Sequence, residues 1–481
     1  MGQWLATRER IDEAEDVTIA GLQRLPESAD LLANLGFLLA EQGLIPEGLR
    51  AYRRSLERKS DSASTRSNYL YHLNYDPSTD AEALLREHRR GAQSSYEVGR
   101  EARNFDGRDG AEARPLRVGY VSPDFRLHAV ASFLEPILAH HDPRRVEVYC
   151  YSDVGSPDAT TARLRSHARA WREIRHLEDD AVESLILADR IDILVDLAGH
   201  TARNRLKVFA RKPAPVQVTY LGYPGTTGLS TIDAMVTDAF LDPLDRPTSS
   251  SESPLRIPST FCCFAPPPGS DEVAPSPALR DGFPTFGSLH KLPKLNPQVI
   301  ELWAELLRRV PSSRLLLVRD RLKGRRGRAI LDQFEALGVD PGRVLIRSDW
   351  AAENHWETYA SIDLSLDVFP WSGHTTACES LWMGVPVVTL ASDRRSSRMT
   401  ASVLACLGLT DLIAESPEQY LEIAARWTTD PQRLAAWRTG ARELLRGSRL
   451  LDGAAFTRDL EDAYEGLWAR LRASPPGPRK I

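Results

Sequence analysis

The residues best suited to chemistry lie in Asp363–Leu390, which reads DLSLDVFPWSGHTTACESLWMGVPVVTL. Ile362–Leu366 alternates apolar and polar residues, the pattern of a short strand with one buried face. Pro370, Ser372 and Gly373 turn the chain, and His374, Thr375 and Thr376 stand where a helix would begin. Helix formers run from Ala377 to Met383, Gly384-Val385-Pro386 stops them, and Val387–Leu390 begins a second strand. A strand, a polar turn and a helix N-terminus suit an anion. Free backbone N–H groups and the helix dipole face it, and the two Thr hydroxyls add donors. Glu379 lies one turn beyond Thr375 on the same face, within reach of a ribose diol. An ordinary capped core helix would carry the same local pattern, so the rest of the chain must tip the balance.

Further candidates follow other strands. Lys291 and Lys294 come after the strand Thr285–Leu289, Lys294 inside an LPKLNP turn just before a helix. A lysine there could meet a diphosphate as a point charge and steady a leaving group. His128, in SPDFRLH after the strand Leu116–Val121, could accept a proton, hydrogen-bond a sugar hydroxyl or hold a phosphate. His200, with Thr201, Arg203 and Asn204, follows another strand, and the glycine-rich LGYPGTTG, Leu221–Gly228, follows the next. Glycines such as Gly222 let a backbone approach a ligand closely. His355 and Trp356 follow the strand at Val344 and could stack on a base. Solvated lysines, capping histidines and a packed aromatic pair are the plain alternatives. The chain has no GxGxxG, no HExxH, no DxD at a strand end and no clustered Cys and His. Hydride chemistry lacks support, and the expected site carries phosphate charge on helix dipoles and lysine without a metal.

The elements that must position these residues form two successive sets of alternating strands and helices. The first has strands at Leu116–Val121, Val146–Tyr151, Ile191–Leu197, Val216–Tyr220 and Met235–Asp238. The second has strands at Thr285–Leu289, Arg314–Val318 and Val344–Ile346 before the opening stretch, with helices at Asn296–Val310 and Ile330–Leu337. Such alternation predicts parallel sheets covered on both faces, with ligands in a cleft at the carboxyl strand ends. Pro243–Pro277 reads as a linker plus edge structure, and Pro417–Arg472 as mostly helical. Residues 1–60 are helical with the spacing of a tetratricopeptide repeat at Leu32, Leu35, Gly36, Leu39, Gly43, Tyr52 and Leu56. Ala14 and Pro26 fit a preceding, truncated repeat. Since a stack needs about three repeats, this one must lean on the next domain unless the natural chain begins further upstream. The expected plan is helical repeats over 1–60, a helical linker over 61–110 that ends in the polar break at 104–110, and Rossmann-like domains over 111–280 and 281–475.

At 481 residues the chain exceeds one core. Its 42% hydrophobic and 26% charged residues describe a soluble globular protein. A net charge of −5 and a pI near 6.2 argue against nucleic-acid binding. No apolar run suggests a membrane span, no signal core opens the chain, and five cysteines without a CxxC pair read as reduced thiols, so cytoplasm is the default.

Together RVGYVSPDFRLH, DLAGHTARNR, KPAPVQVTYLGYPGTTG, LPKLNP and SGHTTACESLWMGVPVVTL resemble the O-linked N-acetylglucosamine transferase family, which includes the plant SPINDLY proteins. The resemblance covers about residues 30–60 and 115–470. It implies an α/β GT-B glycosyltransferase of two Rossmann-like domains behind tetratricopeptide repeats. The implied reaction is inverting and metal-independent, moving N-acetylglucosamine from UDP-N-acetylglucosamine to Ser or Thr of proteins. No cofactor beyond the nucleotide sugar is implied. Protein acceptors would bind through the repeats and the interdomain cleft, with no nucleic acid or membrane involved. By the same resemblance His128 would lie beside the reacting sugar and Lys294 at the diphosphate. His374, Thr375 and Thr376 would hold phosphates, Glu379 the ribose and His355 the base, while Leu221 and Gly222 would line the sugar pocket. The transferase branch usually has Gln where Lys291 stands, Lys where Ala352 stands and Asp where Glu379 stands. The CESLWMGVP wording leans toward the SPINDLY branch, whose members use GDP-fucose, so O-fucosyl transfer is the second reading. An inactive repeat scaffold and a nucleotide-sugar epimerase are the rivals from other classes.

Overall fold

A computed structural model describes residues 11–96, 105, 114–322, 324–349 and 354–473. Ala352 and the polar break at 104–110, apart from Phe105, lie outside the described residues. The chain divides into two compact units. One gathers the helices up to Ser60, His72–Asp80 and Pro266–Ser448; the other gathers Asp61–Tyr71, Ala81–Ala265 and the chain from Arg449 on.

The second of these units is built on seven parallel strands: β1 (Leu116–Ser122), β2 (Val146–Ser152), β3 (Ala170–Glu173), β4 (Ile193–Asp196), β5 (Val216–Thr219), β6 (Ala234–Thr237) and β7 (Ser253–Arg256). Their order is β3-β2-β1-β4-β5-β6-β7. The inner strands β4, β5 and β6 are buried at every residue, because helices cover both faces. Of the two edge strands, β3 is an addition to the sequence reading, while β7 lies in the stretch 243–277 read as a linker plus edge structure. AWRE of β3 is half-exposed and carries no apolar run. In β7, Pro254 lacks an N–H, which only an edge strand tolerates.

The other unit carries six parallel strands: β8 (Thr285–Ser288), β9 (Arg314–Val318), β10 (Val344–Arg347), β11 (Leu364–Leu366), β12 (Val387–Leu390) and β13 (Ile413–Ala414). The order β10-β9-β8-β11-β12-β13 reverses direction between β8 and β11. At such a switch point the flanking loops part and leave a crevice at the carboxyl ends. The corresponding point in the seven-stranded sheet lies between β1 and β4. Both sheets have the doubly wound order expected of Rossmann-like domains.

The last helix, Gly453–Ala473, is a correction to the expected plan, which placed it with the second Rossmann-like domain. Phe456, Leu460, Tyr464, Leu467 and Leu471 join the core of the seven-stranded sheet with Val118 and Tyr120. Gly453 lets it close on the helix Ala129–His140, since a Cβ there would lie 2.8 Å from Pro136 Cβ. Glu461 accepts from His141 Nδ1 at 2.9 Å, and Arg145 Nε donates to Glu465 at 2.8 Å. An apolar stripe on a helix says that it is buried but not against which sheet.

The N-terminal helices α1 (Ile11–Arg24), α2 (Ala29–Glu41) and α3 (Ile45–Arg58) belong to the six-stranded unit. Gly36 and Tyr52, both read from the repeat spacing, interlock: a Cβ on Gly36 would lie 2.8 Å from the Tyr52 ring. These helices lean on the six-stranded unit and not, as the sequence reading has it, on the next domain in the chain, and Glu41 pairs with Arg321 beyond β9.

Candidate active site

The crevice between β8 and β11 is organised by Asp367, buried at the carboxyl end of β11. Its Oδ1 accepts from the N–H of Gly373 at 2.7 Å and of Val368 at 2.9 Å, and lies 3.2 Å from His290 Nε2. Its Oδ2 accepts from the Thr389 hydroxyl at 2.7 Å. Burial pushes this carboxyl up, but His290 and the hydroxyls of Thr400 and Thr389 outweigh it and hold Asp367 below the usual range. The carboxylate therefore stays charged and folds Pro370–Gly373 back over the strand end. Gly373 has no room for a side chain, since a Cβ would lie 2.7 Å from Thr376 Oγ1 and 3.0 Å from His290 Cε1.

Lys294 ends a 3₁₀ turn, Leu292–Lys294, and its Nζ donates to the Ser372 carbonyl at 2.7 Å. Ser372 is itself fixed, its N–H donating to Ser396 O at 3.0 Å. Burial pushes Lys294 down to about 7; Asp367 opposes this, while Lys291 and Arg319 push it further. The lysine is thus poised to gain charge when an anion arrives. Lys291 is exposed, one turn away.

The helix expected at this place spans Thr375–Trp382, with His374 as its N-cap residue. Thr375 and Thr376 are half-buried in its first turn, where backbone N–H groups have no partner within the helix. Burial, then the charge of Lys294, push His374 down to about 3, which leaves its ring neutral at pH 7. Glu379 and His355 were read separately, for ribose and base. The structure joins them, His355 Nε2 and Glu379 Oε2 lying 2.8 Å apart with both residues largely buried. Lys294, His374, Thr375 and Thr376 are thereby gathered at one crevice, with Glu379 on the same helix as the threonines and His355 reaching it from the 3₁₀ turn His355–Ser361.

In the other unit, His128 is the N-cap of the helix Ala129–His140. Its Nδ1 accepts from Val130 N–H at 3.3 Å and lies 3.8 Å from Asp124 Oδ2, with the side chain 37% exposed. An Nδ1 that accepts a hydrogen bond places the ring proton of the neutral form on Nε2.

His200 is a correction. It is 1% exposed, its Nδ1 lies 3.1 Å from Ser67 Oγ, and its Nε2 lies 2.9 Å from Thr227 O. Rings of His88, Tyr223 and Tyr96 surround it, and burial pushes it down to about 3. Both nitrogens serve the protein, so His200 is a core histidine that anchors a loop.

The glycine-rich loop after β5 is corrected in part. The close approaches of Gly222 and Gly228 are to the protein's own backbone, and that of Gly225 is to the Tyr223 ring. A Cβ on Gly222 would lie 1.9 Å from Leu197 O, and one on Gly228 would lie 2.3 Å from His88 O. Thr226 Oγ1 and Thr227 N–H both donate to Glu252, at 2.6 and 2.8 Å. Leu221, half-buried with φ of +74°, turns the chain at the strand end.

Sequence reasoning missed Asp367, His290, Arg319 and Trp371. An Asp directly after a strand and before a Pro-containing turn was the available signal for Asp367. The other three carry no local signature. Among the described residues no group of three or more His, Cys, Asp and Glu side chains is gathered as for a metal, and no helix is long and apolar enough to cross a membrane.

The chain is similar over 424 residues, at 39% identity, to the tomato (Solanum lycopersicum) protein named "Probable UDP-N-acetylglucosamine--peptide N-acetylglucosaminyltransferase SPINDLY". That match covers 85% of this chain and 45% of the tomato protein. The Arabidopsis thaliana protein SEC, with the same enzyme name, is 32% identical over 73% of this chain and 37% of its own length. The chain thus spans about half the length, or less, of the curated relatives it matches. A solved structure of a Thermobaculum terrenum O-GlcNAc transferase mutant superposes with a TM-score of 0.91 at 34% identity, over 98% of this chain and 90% of that one. This likeness establishes the GT-B fold. The family model for glycosyl transferase family 41 matches residues 93–264 and 278–460, and on that match, with Lys294 and the helix Thr375–Trp382 inside it, this chain belongs to glycosyl transferase family 41.

Proposed function

We propose that the chain is an inverting, metal-independent protein O-glycosyltransferase that moves N-acetylglucosamine from UDP-N-acetylglucosamine to Ser or Thr hydroxyls. The carrying observation is Lys294, a lysine with its pKa pushed down to about 7, held 2.7 Å from the Ser372 carbonyl where that loop enters the helix Thr375–Trp382. A diphosphate meeting Lys294 and the N–H groups of Thr375 and Thr376 restores the lysine's full charge. That charge is worth most when the sugar–phosphate bond breaks, because negative charge then grows on the leaving diphosphate. Neutral His374 serves as a hydrogen-bonding group without adding charge. Glu379, steadied by His355, takes the ribose diol, with His355 toward the base. Lys291 adds positive potential from the surface, and Leu221 and Gly222 offer backbone at the sugar.

In the transfer, the Ser or Thr oxygen attacks the anomeric carbon on the face opposite UDP. The carbon–oxygen bond to the diphosphate breaks and its electron pair leaves with UDP. His128 presents Nε2–H in its capped form and so donates to an acceptor or sugar oxygen. The hydroxyl's proton then passes to a donor phosphate oxygen. Protein acceptors are taken to reach the site along the N-terminal helices, in the cytoplasm, without a metal or further cofactor.

The relatives' names support this donor, and the fold likeness supports the reaction class. The test is donor hydrolysis and transfer to peptides with UDP-N-acetylglucosamine and GDP-fucose, for wild type and Lys294→Ala. Turnover of UDP-N-acetylglucosamine that falls at least a hundredfold in the variant is expected. Turnover of GDP-fucose alone would move the assignment to O-fucosyl transfer, toward which CESLWMGVP leans. Wild type without turnover or nucleotide binding would leave a repeat scaffold.

A further inference from the structure

One part of the six-stranded unit is explained neither by its sheet nor by the donor site. It is His72–Asp80, a turn between α4 (Ala63–Leu73) and α5 (Ala81–Ser95) that packs with the six-stranded unit although most of both helices belong to the other. The turn is tightly made. Tyr75 N–H donates to His72 O at 3.0 Å, and the Asp76 carboxylate accepts from Ser78 N–H at 3.0 Å and from the Thr79 hydroxyl at 2.8 Å. Tyr75 is 2% exposed, and its ring stacks on Trp371, centroids 4.7 Å apart and planes at 19°. Trp371 lies directly before Ser372, and Lys294 Nζ stands 5.1 Å from the centre of the Trp371 ring.

A second set of contacts fixes the same turn to the same loop. Arg394 Nη2 donates to Asp76 O at 2.7 Å, and its Nη1 to Asn74 O at 3.4 Å. Arg394 leads into the turn Arg395–Ser397, where Ser396 O accepts from Ser372 N–H at 3.0 Å and Ser396 Oγ donates to Pro370 O at 3.0 Å. The contacts close a ring: Tyr75 to Trp371, Trp371 to Ser372 along the chain, Ser372 to Ser396, Ser396 to Arg394 along the chain, and Arg394 back to the Tyr75 turn. Lys294 hangs on this ring through the Ser372 carbonyl and the Trp371 face. A lysine that ends a flexible stem needs such a frame to hold its charge in one place.

We propose that Tyr75, from the helical segment before the first sheet, is a positioning residue for the donor diphosphate: by stacking on Trp371 it sets the loop that aims Lys294. The inference rests on the proposed role of Lys294 at a diphosphate. It gives the helical segment a part in holding the donor that is separate from acceptor recruitment.

The experiment measures binding of UDP and of UMP to the full chain for wild type, Tyr75→Leu and Tyr75→Phe, with melting temperature as a control. UMP lacks the second phosphate and so reports binding that owes little to Lys294. In Tyr75→Leu, which keeps an apolar side chain but loses the ring, the UDP dissociation constant should rise roughly five- to tenfold. UMP should change by less than about twofold, so the preference for UDP falls. Tyr75→Phe keeps the stack and should restore the wild-type preference. An unchanged UDP-to-UMP ratio in a folded Tyr75→Leu, or equal weakening of both ligands, overturns the proposal. So does failure of Tyr75→Phe to restore the ratio. Wild type that binds neither UDP nor GDP instead removes the glycosyltransfer reading, a result distinguishable from the others before any variant is made.

Discussion

The loop after β5 and the loop after β11 look alike in sequence. Each follows a buried strand, each is rich in Gly and Thr, and each has a histidine nearby: His200 for LGYPGTTG, His374 for SGHTT. In the structure they are opposites. The first loop spends its polar groups on the protein: Glu252 takes Thr226 and Thr227, Thr227 O and Ser67 flank His200, and its glycines fit against Leu197 and His88. The second keeps Thr375 and Thr376 half-buried, receives Lys294 from the turn after β8, and is held at Gly373 by the carboxylate of Asp367. Burial pushes both histidines down to about 3, so a perturbed pKa alone does not tell a site from a core. What separates them is whether neighbouring donors are already spent.

The largest effects would come from replacing His200, beside the first loop, and Lys294, which reaches the second from the turn after β8, with alanine. Lys294→Ala should lower kcat/KM by about a hundred- to a thousandfold. Its melting temperature should hold or rise, because an incompletely paired, desolvated ammonium is removed. His200→Ala should do the reverse, costing about 2–4 kcal/mol through a cavity and two lost hydrogen bonds. Activity per folded molecule should stay within about twofold. Denaturant titration beside initial rates would show both. Equal activity losses in the two variants would erase the distinction.

Glycine positions sharpen it further. Gly222→Ala places a Cβ 1.9 Å from Leu197 O and should destabilise strongly, by about 3 kcal/mol or more. Gly373→Ala meets side-chain atoms of Thr376 and His290, so it should raise the donor KM and lower the denaturation midpoint less than Gly222→Ala does.

Acid tests the core loop. His200 and His88 are buried neutral, with pKa values pushed down to about 3 and about 4 from 6.5. Below pH 6.5 the unfolded chain takes up protons that the folded chain does not, so stability is full above that pH and falls as pH falls. Each histidine should contribute about 1.4 kcal/mol of loss per pH unit until its folded pKa is reached. Denaturant midpoints at pH 7.5 and 5.5 measure this, and His200→Asn should flatten the slope.

Alkali tests the donor loop. Burial pushes Lys294 down to about 7, and a bound diphosphate should raise it toward its usual 10.5. Binding therefore takes up a proton above pH 7, and UDP affinity should fall as pH rises, by at most tenfold per unit. Lys291, Arg319, Asp367, His290 and His374 share this neighbourhood. The slope should vanish in Lys294→Met if Lys294 carries it, and calorimetry from pH 7 to 9 would show this.

The sequence by itself determined what depends on short-range pattern. Arg314–Val318 and Val387–Leu390 are strands at the very residues read from their apolar runs. Runs of Val and Leu bounded by turns leave little choice. The helix start at Thr375 and the placing of Lys294 just after β8 were legible for the same reason, since turn residues and helix formers act over a few positions. Only the tertiary structure decided which polar groups remain available. His200 became core because Ser67, more than a hundred residues away, supplies its partner. Likewise, Asp367 became the organiser because β8 brings His290 beside it. The last helix joined the first sheet because its apolar stripe fits there. Hydrogen bonds and desolvation are settled by neighbours in space, and a linear pattern does not name them.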